Sequence, residues 1–239
     1  MALLYCTLKV FSKFNERDAA KIMPSFRFKG IIFDMDGVLV DSEKLYMRFW
    51  QEACAFFGYD LTPEMALSLR SNSAETAIPK FIDWFGETVD YYKIRELRRR
   101  LMADFIDKNG VEIKPGAIEI FSYLKQNGLK IALATASPVK RAIHYLEPYG
   151  LFDMLDAVVS GTSVAKSKPA PDIYIAAAEK LGFSPCECIA VEDSPAGIIS
   201  AKTAGCFTVM VPDLTPADNE ISGYVDYLAA DLNDIIKIL

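Results

Sequence analysis

Histidine is nearly absent: the 239-residue chain carries one, His144. A single imidazole cannot build a histidine-rich zinc site. It would also have to serve as the base of any serine hydrolase, yet it lies in the amphipathic stretch Val139–Leu146 and no G-x-S-x-G occurs. His144 therefore reads as a helix residue at or near the surface. The five cysteines, Cys6, Cys54, Cys186, Cys188 and Cys206, are odd in number and lack framework spacing, as expected of reduced thiols in a cytoplasmic protein. Cys186 and Cys188 read as a strand entry rather than a ligand pair. No apolar run approaches the roughly 18 residues of a membrane helix. Basic residues are outnumbered 26 to 32, for a net charge of −6. That balance argues against nucleic acid or an anionic membrane as the main partner and leaves room for an anionic small substrate in a locally positive pocket. With 51% apolar and 24% charged residues, the composition excludes a disordered or collagen-like chain.

The first residues, Met1–Cys6, are apolar but carry no leading positive charge. Lys9, Lys13, Glu16, Arg17 and Asp18 follow, which makes a poor signal peptide. Residues 1–27 read as an extension outside the core, with Met23 before Pro24 as an alternative start. An intact mass beginning at Met1, measured on protein from the native gene, would exclude that start.

From Lys29 onward the pattern is α/β. Gly30–Asp34 is a short, unbroken apolar run closed by an acid, the signature of a strand buried on both faces. Further runs occupy Lys130–Ala134, Ala157–Val159, Cys188–Val191 and Phe207–Val211. Helical stretches lie between them at Gly116–Gln126, Pro138–Tyr149, Pro171–Leu181 and Pro195–Ala204. This alternation predicts a doubly wound parallel sheet with helices on both faces. Residues 42–114 break it, with helical periods such as Glu43–Phe57 and Tyr91–Lys108 and no convincing strand. They predict an inserted all-helical subdomain hinged at Val40-Asp41-Ser42 and Lys114-Pro115-Gly116. The expected division is thus a core of 28–41 and 115–239 with an insert of 42–114, the insert opening and closing on its hinges.

Ligands of open parallel sheets sit beyond the carboxyl ends of the strands, and the unusual polar residues fall there. Asp34-Met35-Asp36-Gly37 follows the first strand, Thr135-Ala136-Ser137 the second, and Glu192-Asp193-Ser194-Pro195-Ala196-Gly197 the fourth. Ser167-Lys168-Pro169-Ala170-Pro171-Asp172 precedes the helix after the third. Taken singly, the two aspartates read as turn formers, Lys168 as a surface lysine, and Ser137 and Ser194 as helix caps. Together and in this order they resemble the four motifs of the haloacid dehalogenase superfamily, over about residues 28–239. The branches most similar are the beta-phosphoglucomutase-like enzymes and the sugar-phosphate phosphatases.

The resemblance implies a Rossmann-like core with a helical cap, and chemistry that suits these residue types. Asp34 is the implied nucleophile and Asp36 the acid and base that protonates the leaving alkoxide and later deprotonates water. A phosphate dianion repels an anionic nucleophile, so cations are needed, and Mg²⁺ suits hard oxygen donors. Its implied ligands are the Asp34 and Asp193 carboxylates and the Asp36 backbone carbonyl, with Glu192 either a direct ligand or a support for one. Lys168, the Thr135 hydroxyl and the backbone N–H groups near Met35 and Ala136 are the implied phosphate holders.

Asp36 also separates reaction classes, because dehalogenases and phosphonatases of the superfamily lack an acid at that place. Beta-phosphoglucomutases pair theirs with a histidine on the first cap helix, where this chain has Tyr46. Their cap arginine falls on Ala74, with Arg70 nearby as a substitute and Asn72 in the same loop. Arg95, Arg98, Arg99 and Arg100 read mostly as a solvated face. The expectation is a Mg²⁺-dependent cytoplasmic phosphatase acting on a small phosphorylated metabolite, with Tyr46, Arg70 and Asn72 reading the substrate and a monomer sufficient. A beta-phosphoglucomutase-type mutase is the alternative, followed by a silent binding protein.

Overall fold

The computed structural model describes residues 28–70, 73–214 and 221–239. The expected extension 1–27 and its alternative start at Met23 lie outside the described residues, as does Asn72. The chain divides into two compact units at Leu39/Val40 and Ile113/Lys114. Beside this division the two linkers run together, with Val40 and Ile113 forming an antiparallel bridge and Asp41 N donating to Glu112 O at 2.8 Å.

The sheet unit contains β1 (Gly30–Phe33), β2 (Lys130–Thr135), β3 (Ala157–Ser160), β4 (Cys188–Glu192), β5 (Phe207–Met210) and β6 (Tyr227–Leu228). They form one parallel sheet in the order β3-β2-β1-β4-β5-β6, the expected doubly wound, Rossmann-like core. Every residue of β1 and β4 is buried, which is why their sequences run apolar without alternation. β6 was not expected, since two residues are too short to carry a period.

With the unit's helices numbered after those of the insert, α5 is Ala117–Gln126, α6 Val139–Leu146, α7 Asp172–Leu181 and α8 Pro195–Ala204. The expected helix to Tyr149 stops at Leu146 and tightens into a 3₁₀ turn over Glu147–Tyr149. Pro148 has no N–H to continue the α-helical ladder. One face of the sheet packs Ile32, Ala132, Ala134 and Ala190 against Ile173, Tyr174, Ala177 and Ala201 of α7 and α8. The alternate strand residues point the other way, where the Phe33 ring lies 5.2 Å from Phe121 of α5.

The helical unit holds α1 (Ser42–Phe56), α2 (Pro63–Ser68), α3 (Ala74–Phe85) and α4 (Tyr91–Asn109). Thr62 and Asp90 cap α2 and α4 by accepting from the N–H groups of Met65 and Lys93. Its core is aromatic: the Phe81 ring lies 5.4 Å from Trp50 and 5.0 Å from Tyr91. Among the described residues no helix is long and apolar enough to cross a membrane.

Candidate active site

Strand order puts β1 between β2 and β4, so the chain leaves the sheet centre in both directions and the crevice beyond the strand ends opens there. Asp34 follows β1 directly and is held against β4 by its N–H, which donates to Val191 O at 3.0 Å. Gly37, with φ +83°, turns the chain three residues later. Asp193 follows β4 and is buried, and Ser194 then caps α8 by accepting from Gly197 N at 3.1 Å. The cap role expected of Ser194 is therefore present. Ser137 does not cap α6; its hydroxyl donates to Asp36 Oδ2 instead, at 3.0 Å.

Lys168 enters from the loop before α7, across a cis bond to Pro169. The Ser200 hydroxyl ties this loop to α8 by donating to Ala170 O at 2.6 Å. The ammonium donates to three acceptors, Asp34 Oδ1 at 2.5 Å, Glu192 Oε1 at 2.6 Å and Ala134 O at 3.0 Å. All three of its protons are thereby directed. It is not the surface lysine that its sequence neighbours alone suggest.

Glu192 is fully buried and accepts on both oxygens. Oε1 takes Lys168 and the Tyr174 hydroxyl at 2.7 Å; Oε2 takes Ser194 Oγ at 3.0 Å and the N–H groups of Asp193 and Ser194 at 3.2 and 3.3 Å. Space for this carboxylate comes from Gly197, where a Cβ would overlap it.

The electrostatics follow from burial and from these pairs. Burial pushes the Asp34 carboxyl up to about 8, against the pull of Lys168 and with help from Glu192 and Asp36. Burial would depress the Lys168 ammonium, but the Asp34 and Glu192 carboxylates raise it above the ordinary lysine range. Burial would raise Glu192 too, and Lys168, Tyr174 and Ser194 instead hold it below its ordinary value. Burial and the adjacent Glu192 raise the Tyr174 hydroxyl, so it remains a donor.

The carboxylate oxygens of Asp34, Glu192 and Asp193 lie within 4.8 Å of one another and all three residues are buried. One ammonium faces three acids. This all-oxygen, net negative donor set fits a small hard divalent cation. Glu192 is already engaged by five donors, which leaves Asp34 and Asp193 as the carboxylates better suited to a metal.

Thr135 ends β2 fully buried, its Oγ1 accepting from Ser137 N at 3.0 Å, and the following Ala136 is exposed. Asp34, Asp36, Thr135, Lys168, Glu192 and Asp193 are thus gathered at one end of one sheet. Tyr46 and Arg70 belong to the helical unit. There the Arg98 guanidinium covers the Tyr46 ring at 4.7 Å and Trp50 at 5.1 Å, and Arg70 Nε lies 3.3 Å from Glu43 Oε2. Arg98 is 7% exposed and so is not part of the solvated face expected of its run; the two aromatic rings one and two turns along α1 are what bury it.

Tyr174, Gly197 and Arg141 were not singled out in the sequence. Tyr174 lies within the helical stretch Pro171–Leu181, and its hydroxyl is informative only once Glu192 is seen beside it. Cys54, Cys186, Cys188 and Cys206 form no disulfide, and burial pushes the Cys54 and Cys188 thiols up to about 12. The buried Cys54 and Cys188 thiols are thereby kept protonated and unreactive.

The family model for haloacid dehalogenase-like hydrolases matches residues 28–205. The chain belongs to that family. It is 34% identical over 200 residues to hexitol phosphatase A of Escherichia coli, covering 82% of this chain and 89% of the relative. It is 33% identical over 189 residues to beta-phosphoglucomutase of Bacillus subtilis, covering 77% and 83% respectively. A haloacid dehalogenase family hydrolase from Deinococcus radiodurans, solved with phosphate and sodium, shares the fold with a TM-score of 0.75. It covers 88% of this chain and 94% of its own, at 24% identity. The matched span of this haloacid dehalogenase-like enzyme includes all the strand-end acids and Lys168.

Proposed function

We propose that this enzyme is a Mg²⁺-dependent phosphatase that hydrolyses a small phosphomonoester, a sugar phosphate, through an aspartyl-phosphate intermediate. The observation that carries the reading is the Lys168 ammonium bridging Asp34 and Glu192 at a strand end, with the second acid, Asp36, two residues beyond the first. Asp34 attacks phosphorus with one carboxylate oxygen as the bond from phosphorus to the leaving oxygen breaks, and Asp36 gives its proton to that oxygen. Water then attacks the phosphorus of the aspartyl phosphate while Asp36 takes its proton, and Asp34 leaves as carboxylate with release of inorganic phosphate.

Lys168 places positive charge beside the nucleophile, and the backbone N–H groups at Met35 and Ala136 with the Thr135 hydroxyl cradle the phosphoryl oxygens. Asp34, Asp193 and the Asp36 carbonyl would hold Mg²⁺, which when bound offsets the negative charge of the phosphoryl group. Glu192 orients Lys168. The helical unit acts as the cap, and Tyr46 and Arg70 read the leaving group.

The names of the two relatives, a hexitol phosphatase and a beta-phosphoglucomutase, support a phosphorylated carbohydrate and supply the second reading, a phosphomutase. Phosphate release from a panel of sugar phosphates, with and without Mg²⁺ and beside Asp34→Asn, tests both. Release that requires Mg²⁺ and Asp34 is expected. Conversion of beta-glucose 1-phosphate to glucose 6-phosphate without phosphate release, stimulated by added bisphosphate, would make the protein a mutase. Release that persists undiminished in Asp34→Asn would overturn the covalent mechanism.

A further inference from the structure

We infer that Ser137 and Arg141 are positioning residues that anchor the Asp36 carboxylate in the orientation needed for proton transfer. The inference rests on the acid–base role proposed for Asp36. Arg141, half-buried in the first turn of α6, donates from Nη1 to Ser137 Oγ at 3.1 Å, and Ser137 Oγ donates to Asp36 Oδ2 at 3.0 Å. A guanidinium can only donate, so the hydroxyl accepts from Arg141 and its single proton goes to Asp36. The direction of the chain is thus set by chemistry rather than by a choice of rotamer. Oδ2 is thereby held as an acceptor, and the Asp36 carboxylate takes a fixed orientation for proton transfer.

Ser137 is itself placed by two further hydrogen bonds, and its neighbour Ala136 by a close contact. Its N–H donates to Thr135 Oγ1 at 3.0 Å, and its carbonyl accepts from the buried Ser160 hydroxyl at the end of β3 at 2.8 Å. A Cβ at Gly161 would crowd the backbone of Ala136, at 3.1 Å from its Cα, so the two loops are in contact there. The serine is therefore a fixed point beyond the carboxyl end of β2, and Asp36, which lies outside the strand, takes its orientation from it. Neither residue needs to touch substrate for this. Helix capping does not account for Ser137, because α6 has Pro138 at its N-cap and no side-chain cap bond.

The test uses the full chain with Mg²⁺ and the best substrate of the panel. Ser137→Ala and Arg141→Gln are expected to lower kcat about tenfold, the worth of one such hydrogen bond, with KM within about twofold. Ser137→Thr, which keeps the hydroxyl, is expected to recover most of kcat. In an Asp36→Asn background, whose own turnover is measured first, neither substitution should lower kcat further, since both act through that carboxylate. Unchanged kcat in the single variants, no recovery by threonine, or full additive losses beside Asp36→Asn would overturn the inference.

A readout independent of turnover separates this from failure of the phosphatase reading. The carbon-13 shift of the Asp36 carboxyl should move in both Ser137→Ala and Arg141→Gln, in protein whose melting temperature shows it folded. A moved resonance in a protein that turns over no phosphate ester would support the anchor and sink the phosphatase. An unmoved one would sink the anchor whatever the activity.

Discussion

The two units of this chain spend their interiors differently. Among the described residues, ten polar or charged side chains are buried, and eight of them, Asp34, Thr135, Ser137, Ser160, Glu192, Asp193, Ser200 and Thr208, lie in the sheet unit. The helical unit buries two, Ser42 and Arg98. Its centre is instead built from Trp50, Phe81 and Tyr91, with Trp84 and Phe85 alongside. A buried carboxylate is tolerable only where several donors converge, and the ends of parallel strands, with their loops and helix starts, provide them. A unit of some seventy residues has little interior, and large aromatic rings remove the most surface per residue. The contrast teaches that buried polar groups are gathered where the sheet's strand ends supply donors, while the helical unit's interior is almost purely apolar.

The comparison breaks first at Asp34. Asp34→Asn is expected to reduce phosphate release by about 10⁴-fold or more while the melting temperature holds, since shape is nearly unchanged. Loss of folding instead would mean that the acid is structural. Asp36→Asn should slow kcat by roughly 10² to 10⁴ and leave the Mg²⁺ dissociation constant unaltered, because the metal contact assigned to it is a backbone carbonyl. Calorimetric titration with Mg²⁺ measures that constant, and a large weakening would show the carboxylate to be a ligand.

In the other unit, Phe81→Ala empties the centre of the aromatic cluster and is expected to cost about 3–5 kcal/mol. Hydrogen exchange should show the loss confined to amides of α1, α3 and α4, with β1 and β4 still protected; equal loss in both units would mean they unfold together. Gly197→Ala is expected to cost about 1–3 kcal/mol by urea denaturation, as the Glu192 carboxylate is displaced. It should lower activity with it, by releasing Lys168. Stability lost with kcat unchanged would detach Glu192 from the chemistry.

Much of the site was legible because four short motifs carry it, three where an apolar run ends and the Lys168 motif just before a helix. Asp34, Lys168 and Asp193 are of this kind. Ser137 and Arg98 were not legible: a serine before a helix looks like a cap, and an arginine within a basic run looks solvated. Both readings are local, and both were overturned by partners distant in sequence, Asp36 for the serine and the Tyr46 and Trp50 rings for the arginine.

The chain's periodicity and punctuation determine by themselves that there are alternating buried strands and helices, an inserted helical stretch, and acids at strand ends, since these depend on neighbours a few residues apart. Only the tertiary structure decides that β1 lies between β2 and β4, and so that Asp34, Lys168 and Glu192 meet within hydrogen-bonding distance. The reason is physical: the place of β1 in the sheet and the meeting of Asp34 with Lys168 are set by contacts between segments a hundred or more residues apart, which no local pattern encodes.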